Sequence, residues 1–203
     1  TNRLGASPLY LAAKNGNAEL IERLLNAGAD PNLALKIGET PFMTASRAGT
    51  VEGVRQMIAA GADVNAYEKS REQTALMWAV TQGHVDVVRV LVNAGANLEA
   101  RSKVRSRLMY AESSNGAAFD QGVVEQLGGF SPLLFAAAQG NVEIGQLLIS
   151  VGVNINGTAA NGASPLVVAT HSGHPDFARL LLEAGADPNA IGAGYNALHA
   201  AVL

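Results

Sequence analysis

Apolar positions along the chain fall into short helical stripes that come in pairs, and the pairs recur at a fixed interval. In the copy spanning residues 159–190, Leu166, Val167, Ala169 and Thr170 mark a short first helix with small residues on one side. Phe177, Leu180, Leu181 and Leu182 mark the apolar stripe of a second. The polar positions between the stripes read as punctuation. Asn161-Gly162 is turn chemistry, because glycine takes positive φ without strain. Ser164 stands where an N-cap belongs, and Pro165 opens the helix where a missing N–H costs nothing. Gly173 ends the first helix. His174-Pro175-Asp176 begins the second, with an acid near the positive end of the helix dipole, and Gly185 closes it.

The whole unit repeats. A segment of the form G-x-T/S-P-L-x-x-A-A-x-x-G-x-x-E-x-x-x-x-L-L-x-x-G-A-D-x-N occurs five times and begins a sixth. Its anchor dipeptides are Ser7-Pro8, Thr40-Pro41, Thr74-Ala75, Ser131-Pro132, Ser164-Pro165 and Asn196-Ala197, at spacings of 33, 34, 57, 33 and 32 residues. One copy cannot bury both faces of its helical hairpin, so neighbours must stack. A period near 33 therefore describes a solenoid rather than a single wrapped core. The pairs Ala12-Ala13 and Ala136-Ala137 let adjacent first helices approach closely.

These residues resemble the ankyrin repeat, and the resemblance covers nearly the whole chain outside one insertion. It implies an all-α solenoid of stacked helix-turn-helix units forming a single domain over residues 1–203. The copies fall at 2–34, 35–67, 69–100, 128–158 and 159–190, with a partial one at 191–203. The chain departs from the family at one position. Where the family favours histidine after Thr-Pro-Leu, this chain has Tyr10, Met43, Met77, Leu134 and Val167, and only His199 keeps it. Apolar packing is expected to replace the imidazole bonding there. The chain begins inside a repeat and stops within a first helix, so it reads as a piece of a longer protein.

The 57-residue spacing exceeds the period by 24 residues and places an insertion at roughly 101–127, between the third and fourth copies. It opens with Arg101, Lys103, Arg105 and Arg107, passes through a Ser/Asn/Gly cluster and ends in a weakly apolar segment. Insertions in a solenoid map to the turn side, where long loops are either functional or tolerated at little cost. Tyr110 and Phe119 favour partial order.

Composition sharpens the picture only through charge. The chain carries a formal charge of −3, and 13 of its 14 Lys and Arg residues lie at or before position 107. With ten acids in that span and seven after it, the first part is +3 (13 minus 10) and the second −6 (1 minus 7). By resemblance, partners dock on the turn tips and the exposed side of the first helices. Those positions hold Arg3, Leu4, Lys14 and Asn15, then Lys36, Ile37, Glu39 and Arg47, then Ser70, Arg71, Gln73 and Gln82. Phe130, Gln139, Asn161, His171 and Ser172 follow, with Tyr67, Arg101 and Tyr195 bordering the same side. Trp78 adds an aromatic anchor candidate. The expectation is a locally basic docking surface for an acidic peptide or protein segment, with Arg47, Arg71 and Arg101 supplying charge and Tyr67, Trp78 and Phe130 apolar contact.

Catalytic chemistry finds no candidate set. The chain has no cysteine, which removes thiolate nucleophiles, disulfides and cysteine zinc sites. His84 and His174 occupy the family's Gly-His position before a second helix, a structural place. There is no phosphate loop, no His-Glu-x-x-His and no acidic calcium loop. Asn156-Gly157-Thr158 matches a glycosylation sequon, but Asn156 is also the repeat's own turn asparagine. No metal, cofactor, membrane span or nucleic-acid contact is expected, and the chain is expected to be a monomer. Three rival roles remain: an accessory regulatory or targeting array of a larger enzyme or membrane protein, nucleic-acid binding through the run from Arg101 to Arg107, and self-association of basic and acidic ends.

Overall fold

The computed structural model describes residues 5–110, 122–192 and 195–196, with side chains described over 5–108 and 124–190. Among the described residues ten helices form five hairpins: α1 (Pro8–Lys14) with α2 (Ala18–Asn26), α3 (Pro41–Ala48) with α4 (Val51–Ala59), α5 (Ala75–Thr81) with α6 (Val85–Asn93), α7 (Pro132–Gln139) with α8 (Val142–Ser150), and α9 (Pro165–His171) with α10 (Pro175–Glu183). The odd-numbered helices pack in one row, α1 on α3 on α5 on α7 on α9, and the even-numbered helices form a second row behind them.

Each first helix starts the way its sequence dictates. Ser7, Thr40, Thr74, Ser131 and Ser164 are extended N-caps whose hydroxyls accept the backbone N–H three residues on. Each bond satisfies a donor that the helix itself leaves unpaired. Small residues then let the row close up: Ala12, Ala13, Ala45, Ala79, Ala136, Ala137 and Ala169 are all at most 1 % exposed. Met43, Met77, Leu134 and Val167, standing where histidine is usual, are buried in that same row, so apolar packing does replace the imidazole. Tyr10, at the corresponding place in the first copy, is half-buried and donates its hydroxyl to Glu39 (3.0 Å).

Two kinds of cross-repeat hydrogen bond tie the array together. Histidine does the first. His84 Nε2 pairs with the Arg47 carbonyl at 3.0 Å and His174 Nε2 with the Ala138 carbonyl at 3.1 Å, each reaching back to the preceding first helix. The rings need space, and Gly140 provides it: at φ +68, a Cβ there would lie 2.5 Å from the His174 ring. Turn asparagines do the second. Asn32 accepts from Asp63 N–H, Asn65 from Asn97 N–H and Asn156 from Asp187 N–H, at 2.7–2.9 Å. Between the third and fourth copies Glu99 takes over, accepting the Asn154 N–H at 2.8 Å. The stack therefore continues past the insertion without a break in register. The Asn156 Oδ1 is engaged in this ladder, the structural role that its place in the turn implies.

The insertion is more ordered at its base than a loop. Strand β1 (Arg105–Tyr110) pairs antiparallel with β2 (Gly122–Leu127), with Arg105 opposite Leu127 and Arg107 opposite Glu125. The spacing of Arg101, Lys103, Arg105 and Arg107 is the period of a strand, a signal that charge alone conceals. The segment between the strands, including Phe119, lies outside the described residues. Ser102 N–H donates to the Phe130 carbonyl and Gly129 N–H to the Ser102 carbonyl, so Arg101, Ser102 and Lys103 belong to the fourth copy's own turn tip. Residues 104–127, lying between these bonds, number 24, the excess of the spacing over the period. A second small ribbon, β3 (Ile191–Gly192) with β4 (Tyr195–Asn196), marks the sixth copy's tip.

Candidate functional site

The turn tips form a row joined by backbone hydrogen bonds. Lys69 N–H donates to the Ile37 carbonyl, Lys103 N–H to the Arg71 carbonyl, and Ala160 N–H to the Gly128 carbonyl. Beside this row, where it meets the first helices, lies a bay of about 490 Å³. Ile37, Glu39, Arg47, Glu68, Ser70, Arg71, Gln73, Trp78, Thr81, Gln82 and Phe135 line it.

Its centre is a stacked and bonded cluster. Arg47, at the end of α3, lays its guanidinium over the Trp78 ring at 4.6 Å from the centroid. A guanidinium over an indole face is held by the ring quadrupole as well as by dispersion. Arg47 also donates to Glu39 Oε1 at 3.1 Å. The Trp78 indole N–H donates to Gln73 Oε1 at 2.9 Å, fixing the ring's far edge. Glu39 is not the exposed contact residue that its position suggests. It is 6 % exposed and receives the Tyr10 hydroxyl, the Thr44 hydroxyl and Arg47 together. Burial, followed by the charge and hydrogen bond of Glu39, holds the Tyr10 phenol above its usual range, so it stays a neutral donor.

Glu68 is the functional-face residue that sequence reasoning passed over. It is 2 % exposed and wraps its carboxylate inside the third tip. The Ser70 hydroxyl and the backbone N–H groups of Ser70, Arg71 and Gln73 all donate to it. Desolvation pushes its carboxyl up. The hydrogen bonds, led by the Ser70 hydroxyl, push it down and prevail, so it ionises below the ordinary glutamate range. The signal was the 34-residue spacing. The third tip is one residue longer than the second, and Glu68 satisfies the N–H groups that the extra residue displaces. Glu72 stands in the same tip at φ 54, where the second and fifth copies place Gly38 and Gly162. Among the described residues it is the one non-glycine with positive φ.

The expected site residues divide accordingly. Arg47, Arg71 and Trp78 meet in the bay, and Phe130 lies at its margin with its ring 5.3 Å from that of Phe135. Arg71 is exposed. Tyr67 is 59 % exposed and bridges Thr74 through its backbone. Lys14 and Lys36 are exposed but outside the bay lining, as is His171 at the end of α9. Arg101 has a bracing role: its guanidinium donates to the carbonyls of Gly129 (3.2 Å) and Thr158 (2.8 Å) and pairs with Glu99 at 3.6 Å. Arg3 and the Tyr195 side chain lie outside the described residues, as does His199. The bay is thus charge-balanced rather than basic, with Glu39 and Glu68 offsetting Arg47 and Arg71. Among the described residues no group of three His, Asp or Glu side chains is placed to hold a metal, and no helix is long and apolar enough to cross a membrane.

Comparison with curated proteins finds no match. A family model does match: ankyrin repeats in three copies, over residues 9–102 and again over 106–192. That is well over half of the chain, and the matched spans contain all ten helices apart from the first residue of α1. Repeats of this kind are generally protein–protein interaction modules. By period, capping, cross-repeat bonding and family match, this chain belongs to the ankyrin-repeat family.

Proposed function

We propose that the chain is a non-catalytic binding module that takes a segment of a partner protein into the bay between the second and third turn tips. The observation that carries this reading is the Arg47–Trp78 stack beside exposed Arg71. It offers a flat, rigid aromatic–cation platform next to a guanidinium that has no hydrogen bond or ion pair to its side chain among the described residues. Aromatic and arginine side chains of this kind dominate binding energy at interfaces. Rigidity helps: Gln73, Glu39 and the stack fix the site before any partner arrives, so little ordering entropy is lost on its side. A fitting segment presents a carboxylate to Arg71 and an apolar side chain to Ile37 and Phe135. Glu39 is paired with Arg47 and Glu68 is held by the donors of its own tip, which leaves Arg71 to take the carboxylate.

An affinity capture from lysate, comparing the native chain with Arg71→Glu/Trp78→Ala, tests this. A protein retained by the native chain and lost from the double variant supports the bay. Proteins retained equally by both move the site to another face and overturn the reading.

A further inference from the structure

The insertion offers an interaction surface of a different kind. Strands β1 and β2 form a two-stranded ribbon, and a two-stranded ribbon has two open edges. Its base is fastened to the array. Lys103 N–H bonds the Arg71 carbonyl, Arg105 donates to the Ser70 carbonyl at 2.8 Å, and Lys103 pairs with Glu72 at 3.5 Å. Beyond Lys103, no backbone hydrogen bond leaves either strand for any other described part of the molecule. Among the described residues, the outward-facing N–H and C=O groups of every second residue of β1 therefore have no backbone partner.

The side chains say what would pair with it. β1 carries Arg105 and Arg107 on one face and no acid. The ribbon's carboxylate among the described residues is Glu125 on β2, opposite Arg107, and no ion pair joins the two. The other face carries an exposed apolar pair, Leu108 (53 %) opposite Val124 (57 %). Side chains on one face of neighbouring strands touch, and they alternate with period two.

We infer that the outer edge of β1 is a docking edge for an extended peptide that alternates acidic with apolar residues and adds to the ribbon as a third strand. Its carboxylates lie beside Arg105 and Arg107, and its apolar residues beside Leu108. Main-chain bonds supply attraction and the alternating side chains supply register. This surface is independent of the bay.

The test uses a capped synthetic peptide about seven residues long, a usual strand length, alternating glutamate with valine or threonine. Two further versions carry N-methyl groups on one or the other set of alternate amides, and a fourth replaces glutamate by lysine. Binding to the full chain is followed by fluorescence anisotropy. A strand added to β1 uses one set of amides only. One methylated peptide is then expected to lose about tenfold or more in affinity while the other binds as the parent does. The lysine peptide is expected not to bind. Arg107→Glu, an exposed position, is expected to weaken the parent about tenfold, and Trp78→Ala is expected to leave it unchanged. Equal binding of both methylated peptides, or absence of binding by the parent, overturns the inference. So does loss of binding in Trp78→Ala with Arg107→Glu unaffected, which places the peptide in the bay. A concentration-dependent dimer that the peptide fails to dissociate assigns the edge to a second copy instead.

Discussion

At the third turn tip a carboxylate of 2 % exposure is held by four donors from Ser70, Arg71 and Gln73. That arrangement makes Glu68 a pH-dependent fastening. The folded carboxyl ionises more readily than the unfolded one, so below neutrality the unfolded chain binds more protons. Its contribution is complete above the ordinary glutamate range and is lost as pH falls through that range and below. Glu68→Gln keeps the shape but turns one acceptor into a donor that faces N–H groups. It is expected to lower stability by about 1–3 kcal/mol at neutral pH. The gap between variant and native should narrow on acidification, as chemical denaturation at several pH values will measure. A gap that stays constant with pH would show that the charge is not what those donors hold. Glu72, in the same tip, donates its N–H to the Glu68 carbonyl at 2.9 Å but adds strain, since a left-handed residue with a Cβ costs about 1–2 kcal/mol. The Lys103–Glu72 pair at 3.5 Å is about half-exposed on both sides and offsets little of it.

Among the elements, the ribbon is the one addition to an otherwise regular array, and its point of attachment explains why the array tolerates it. Ser102 and Gly129 already close a hydrogen bond across the base. Gly128, at φ +97, has its Cα so near the Lys103 carbonyl that a Cβ would lie 2.1 Å away. Removing residues 104–127 would make Ser102, Lys103, Gly128 and Gly129 consecutive. That sequence is a four-residue turn with its closing bond in place and glycine at the third position, where a type II turn needs positive φ. The deletion is expected to keep the helical circular-dichroism signal per residue of α1–α10 and to change the melting temperature by only a few degrees. A collapse of the helical signal would show that the ribbon supports the stack. Strand β1 was concealed in the sequence because its alternation is written in arginine, which reads first as solvated charge. Only the pairing across the base, residues distant in sequence, makes a strand of such a segment.

The whole molecule behaves as a line of neighbours, in which each copy is stabilised by the next. The insertion does not divide that line. Glu99 bonds Asn154, Arg101 bonds Thr158, α5 packs on α7 and α6 on α8. Leu181, at 0 % exposure in α10, probes this coupling. Leu181→Asp removes its packing and buries a carboxylate, at a cost of at least about 3 kcal/mol. A single melting transition is expected, displaced to lower temperature for the whole array. Two separate transitions, one with the native midpoint, would show that the halves on either side of the ribbon unfold independently. Period, caps, turn glycines and the two apolar stripes are local features with local causes, so the sequence by itself determined the repeat, its register, the helix boundaries within a residue or two, and the family. It also indicated, by resemblance, which face Arg47, Arg71 and Trp78 occupy. It did not determine the electrostatics of that face. Whether Glu39 is exposed or buried and whether Arg101 is free or a brace depend on which groups from different copies meet. Those encounters span 29 residues from Tyr10 to Glu39 and 57 from Arg101 to Thr158. Only stacking brings such partners together, because a charge's role is set by its neighbours in space and the sequence orders only its neighbours along the chain.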